Sequence, residues 1–127
     1  MNKENLNKIT ALLVHVAKVD EIYTEKEKGI IKNFIMSFSY DEKDCETILQ
    51  EAEKLESDSI QLFGFTSAIK QESLEVKTEI IEHLWKIIIS DQSVNQYESS
   101  LMRRICGLIY FPDKLSGEIK LKILNQQ

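Results

Sequence analysis

The chain has one proline and four glycines in 127 residues. That leaves too little turn punctuation for an all-β fold, which needs a turn every eight to twelve residues or so. Its two cysteines, Cys45 and Cys106, lack metal-type spacing. Each falls on an apolar helical stripe, which predicts buried free thiols in a reducing compartment. No apolar run approaches the roughly 20 residues of a membrane-spanning helix. Cationic residues are in the minority, with 16 Lys and Arg against 21 Asp and Glu for a net charge of −5. A general nucleic-acid footprint is therefore absent.

What is present is the composition of an ordinary globular chain, 43% hydrophobic and 29% charged. The length predicts one domain spanning 1–127 that buries about two-thirds of its unfolded surface. The run "ITALLVHVA" (9–17) has the length of a signal-peptide core. Glu4 upstream, His15 within it and its helical periodicity argue against that reading, so a cytoplasmic location is expected.

The periodicity is helical throughout. Ile9, Leu12, Leu13 and Val16 make an i, i+3, i+4, i+7 stripe, predicting a first helix from Glu4 to Asp20. Thr24 and Glu27 have capping-box spacing, opening a second helix that points Ile30, Ile31, Phe34 and Phe38 inward. Ser39 and Glu42 repeat the signal before a third helix with Cys45, Ile48, Leu49, Ala52 and Leu55 inside. "IQLFGFTSAIK" (60–70) reads as a shorter fourth helix with Phe63 and Ile69 buried. A fifth runs from Ser73 to Asp91 around Ile80, Ile81, Leu84, Trp85 and Ile88. Asn95 and Glu98 form a third capping box ahead of a sixth helix bearing Leu101, Met102, Ile105 and Ile109. "DKLSGEIKLKIL" (113–124) supplies a seventh, after Pro112. The expected fold is an all-α, single-domain bundle of about seven helices with short loops.

A repeat runs through it. When Asp20 is aligned with Asp91, Leu13 meets Leu84, Val16 meets Ile87, Glu27 meets Glu98, Ile30 meets Leu101 and Phe34 meets Ile105. Both halves, about 4–38 and 73–110, read apolar helix, Asp, short turn, capping residue, Glu, apolar helix. A pseudo-twofold pair of helical hairpins follows. Helical spacing points all four acids toward the apolar side at the mouth of a hairpin. Two roles fit them. Each Glu can accept from the backbone N–H of its capping residue, and each Asp can hold the turn it begins. Alternatively, Asp20, Glu27, Asp91 and Glu98 can supply the several oxygens a hard divalent cation wants. An EF-hand is excluded: "DQSVNQYESSLM" has Gln96 where that loop needs Gly and Met102 where it needs a bidentate Glu, and "DEIYTEKEKGII" has Ile22 in its third position.

No catalytic constellation emerges. His15 and His83 do not align in the repeat and have no Cys or second His at helical spacing, so neither makes a zinc pattern. Both are expected to be structural and partly exposed. Walker A, G-x-S-x-G and Gly-rich dinucleotide loops are missing. A co-chaperone J-domain would need His-Pro-Asp, whereas the single Pro112 follows Phe111. Arg103, Arg104, Lys86 and Lys114 read as a solvated face. Trp85 reads as core, and Tyr97 as exposed and available to a partner.

The duplicated helix–Asp–turn–Glu–helix order resembles the tellurite-resistance TerB family and its TerB-like relatives, including the DjlA-type helical domain. The second copy, "HLWKIIISDQSVNQYESSLMRRICGLIYFPDK" (83–114), is the closer one. "DSIQLFGFT" (58–66) is similar to a segment of the stand-alone bacterial branch. The resemblance runs from about Leu6 to Ile123. It implies an all-helical fold with a pseudo-twofold and an acidic cluster proposed to chelate metal, here Asp20, Asp91, Glu27 and Glu98. It also implies non-enzymatic partnership in larger assemblies linked to tellurite or general stress resistance. Glu21 and Gln92 stand where the family usually has Gly after the Asp. The expectation is thus a cytoplasmic, non-enzymatic module acting through an unidentified protein partner, without nucleic acid and without a cofactor. The alternative is a divalent-cation protein using the four acids.

Overall fold

In the computed structural model, residues 1–19, 22–58, 62–90 and 96–126 are described, without the side chains of Phe63 and Gln96. They form seven helices and, among the described residues, no strand. The helices are α1 (Lys3–Ala17), α2 (Glu25–Met36), α3 (Glu42–Asp58), α4 (Leu62–Thr66), α5 (Leu74–Ile89), α6 (Gln96–Leu108) and α7 (Asp113–Asn125).

α1, α2, α3 and α5 start where short polar side chains accept orphan N–H groups, whereas α7 starts after Pro112 with no side-chain cap. Asn2 Oδ1 accepts from Asn5 N–H at 2.7 Å, and Ser73 Oγ from Val76 N–H at 3.2 Å. At α3 the expected Ser39–Glu42 capping box does not form. Asp41 caps instead, its Oδ1 accepting from Asp44 N–H at 2.8 Å. Ser39 is unavailable because it sits at φ 72°, left-handed, in the turn that ends α2. The α6 terminus uses the same geometry. Tyr110 N–H bonds Gly107 O at 3.4 Å and Phe111 N–H bonds Cys106 O at 2.8 Å, a Schellman closure with Tyr110 at φ 60° where glycine is usual.

α1 is the central element, packing against α2, α3, α4 and α5. It is buried far beyond a stripe, with Ala11, Leu12, Leu13 and Val14 all inaccessible in succession. Even Thr10 is buried, and its hydroxyl donates to Leu6 O at 2.7 Å. α5 packs against α1, α2 and α7, while α6 packs against α4 and α7. Two boundaries fall short of the sequence reading. α1 ends at Ala17 rather than Asp20, and α4 is only five residues long. Ile69 still enters the core, but from a turn: its N–H bonds Thr66 O at 2.9 Å. α4 itself buries Leu62 and Phe65.

Candidate functional site

The entry to α2 is a complete capping box. Glu27 Oε1 accepts from Thr24 N–H at 2.8 Å and from the Thr24 hydroxyl at 3.0 Å, while Thr24 Oγ accepts from Glu27 N–H at 3.1 Å. Glu27 is the third residue of its helix and only 6% exposed. Glu98 is the third residue of α6 and equally buried. The two glutamates thus occupy matching stations, both inward as the spacing requires. Asp20, Asp91, Glu21, Gln92 and Asn95 lie outside the described residues.

Acids and lysines alternate around Thr24. The Tyr23 hydroxyl donates to Glu53 Oε2 at 2.8 Å, tying the entry of α2 to α3. Burial pushes the phenol far above its ordinary value, helped by the hydrogen bond to Glu53 and by the charges of Glu53, Glu27 and Glu25. Lys28 Nζ covers the Tyr23 ring at 5.0 Å. Lys26 Nζ donates to Ser90 O at 3.2 Å, placing the entry to α2 beside the exit from α5, where a cation suits the carbonyl end of a helix.

A third buried acid, Glu56, was not legible as a site residue. It is 6% exposed and bridges α3 to α1, with Lys18 Nζ at 2.8 Å from Oε1 and His15 Nδ1 at 3.2 Å from Oε2. Burial alone would raise its pKa. The hydrogen bonds from Lys18 and His15 outweigh that and hold the carboxyl below the ordinary value. Its sequence signal is position: Glu56 lies i+4 from Ala52 and i+7 from Leu49, on the stripe where Leu55 was expected. Leu55 is only partly buried.

His15 is partly exposed as expected, but His83 is not. It is buried, with its ring edge-on to Phe34 at 5.3 Å and Nδ1 donating to Glu79 O at 2.8 Å. Packing of α2 on α5 encloses it. Trp85 is core, with Nε1 donating to Ser116 Oγ at 2.9 Å. Above it lies a groove of about 180 Å³ lined by Ser99, Arg103, Asp113, Ser116 and Lys120. Tyr97 is 65% exposed, as its first-turn position predicts, and Lys86 pairs with Glu82 at 3.3 Å. Cys45 and Cys106 are free and buried. Burial raises both thiols, opposed at Cys106 by a hydrogen bond from Ser116.

A cation would find Glu27 Oε1 already accepting two hydrogen bonds. Among the described residues no three His, Cys, Asp or Glu side chains are grouped to hold a metal ion. A divalent site at these hairpins therefore depends on Asp20 and Asp91.

No helix among the described residues is long and apolar enough to cross a membrane. No curated protein and no solved structure matches the chain. A family model does: that of the tellurite resistance protein TerB matches residues 7–121.

Proposed function

The chain belongs to the TerB family, a helical family linked to tellurite resistance, and from that premise we propose that it is a non-enzymatic module acting through protein partners in a cytoplasmic stress response. The observation that carries this reading is how the reactive side chains are employed. Glu27 caps α2, Glu56 ties His15 and Lys18 between α1 and α3, and both thiols are buried with raised pKa. These buried acids and thiols are taken up by the fold, which favours the surface as the working part. The test is affinity capture of the tagged chain from its source cell, with and without tellurite, followed by gel filtration. One protein co-eluting in stoichiometric amount is expected. Migration of the chain alone under both conditions overturns the reading.

The second reading, a divalent cation held by Asp20, Glu27, Asp91 and Glu98, is favoured by the matching inward positions of Glu27 and Glu98 in the first turns of α2 and α6. Titration with Ca²⁺, Mg²⁺, Mn²⁺ and Zn²⁺ followed by backbone NMR tests it. The reading requires movement of amides in 20–27 and 91–98, and silence there removes it.

A further inference from the structure

Between the end of α2 and the first half of α5 lies a groove of about 240 Å³ that the capping acids and the Glu56 bridge do not touch. Ser37, Phe38, Glu75, Val76 and Glu79 line it. Its apolar floor is stiff. Phe38 packs edge-on against Phe34 at 5.1 Å, and Phe34 packs in turn on the buried His83. Met36 and Leu74, the chain neighbours of Ser37 and Glu75, are exposed as well.

The groove also carries two carboxylates, Glu75 in the first turn of α5 and Glu79 one turn on. Glu75 makes no hydrogen bond or ion pair among the described residues, and its side chain is exposed. The Glu79 carboxylate has His83 Nδ1 at 3.9 Å, beyond hydrogen-bond range, because that nitrogen donates to the Glu79 backbone carbonyl. α2 ends here with no basic residue in its last turn, so the partial negative charge of its carbonyl end is unopposed from within that helix. The end of α5, by contrast, receives Lys26.

An apolar floor with two acids on one wall and a helix carbonyl end on the other is complementary to one kind of occupant. We propose that this groove docks a basic amphipathic helix of a protein partner. Its Arg or Lys side chain sits between Glu75 and Glu79, and an apolar side chain one turn away lies on Phe38 and Val76. The inference rests on the partner-mediated reading above and gives that partner its chemistry.

Synthetic amphipathic peptides test it against the full chain. One carries a Leu and Arg face, and its counterpart has every Arg replaced by Glu. The Arg peptide is expected to shift amides around 36–38 and 74–79, and the Glu peptide to leave them unmoved. Glu75→Lys with Glu79→Lys should weaken the Arg peptide about tenfold or more while lowering the melting temperature by only a few degrees, since both side chains are solvent-accessible and the loss comes from reversing the first-turn charge of α5. Glu75→Gln with Glu79→Gln should fall between. Shifts centred away from 36–38 and 74–79, or equal affinity for the double Lys variant, overturn the groove. The capture experiment separates the two claims. A partner retained equally by wild type and the double Lys variant defeats the groove alone, whereas a chain that captures nothing defeats the partner-mediated reading.

Discussion

His15 Nδ1 lies 3.2 Å from Glu56 Oε2, and the other oxygen of that carboxylate takes Lys18 Nζ, so one buried acid of α3 holds both His15 of α1 and the lysine that follows that helix. Glu56→Gln keeps the shape and removes the charge. Because Lys18 and His15 are partly exposed, the loss should be about 1–2 kcal/mol, or roughly 3–8 °C in melting temperature for a chain of this size. The pH dependence has a definite sign. The folded carboxyl lies below its unfolded value of 4.5, so its contribution is full above that pH and is lost as pH falls through the folded value. Melting curves of wild type and variant should stay apart at neutral pH and converge on acidification below 4.5.

At α2, Thr24→Ala removes both the acceptor for Glu27 N–H and the hydroxyl donor to Glu27 Oε1. A cost of about 1 kcal/mol in urea unfolding is expected. Glu27→Gln keeps an acceptor for Thr24 N–H and should cost less than Thr24→Ala. The same experiment separates anchoring from cation binding. Acids crowded together for a ligand would make Glu27→Gln and Glu98→Gln more stable than wild type without metal.

Much of this was legible because it is local. The Thr24–Glu27 box, the α1 stripe and the inward lean of Glu27 and Glu98 follow from spacing within one or two helical turns. Glu56 was not, because its partners are 38 and 41 residues away and helical spacing says only that the position is inward. At the start of α3 the sequence reading took Ser39 as the cap and missed Asp41, because no sequence pattern marks the left-handed backbone of Ser39. His83 looked peripheral to its stripe, and the packing of α2 on α5 enclosed it. The last turns of α1 and α4 were overestimated because apolar residues such as Ile69 can reach a core from a turn as well as from a helix.

Tyr110 closes α6 in a left-handed conformation that an aromatic residue adopts at a cost of about 1–2 kcal/mol. Its ring receives Lys70 Nζ at 4.8 Å, an exposed cation–π contact worth about 0.5–1 kcal/mol. Tyr110→Gly relieves the first and forfeits the second. A net gain of about 0.5 kcal/mol in urea unfolding is expected. Tyr110→Val, β-branched at the same backbone angle, should be less stable than wild type.

Ser116→Ala leaves the indole N–H of Trp85 buried without an acceptor, a loss of about 1–2 kcal/mol. The chain has one tryptophan, so its fluorescence reports this site alone. The emission spectrum should change in the folded variant and coincide with wild type once both are unfolded in urea. Ser116→Thr, which keeps a hydroxyl, should preserve more of the native spectrum than Ser116→Ala.

The enclosure of α1 has a further consequence during synthesis. α1 leaves the ribosome ahead of α2, α3, α4 and α5, the four helices that cover it. Until Ile80, Ile81 and Leu84 of α5 emerge, Leu12 and Leu13 have no complete shelter. The nascent chain must therefore carry its central helix unfinished through translation of the intervening elements, exposed to chaperones and to aggregation.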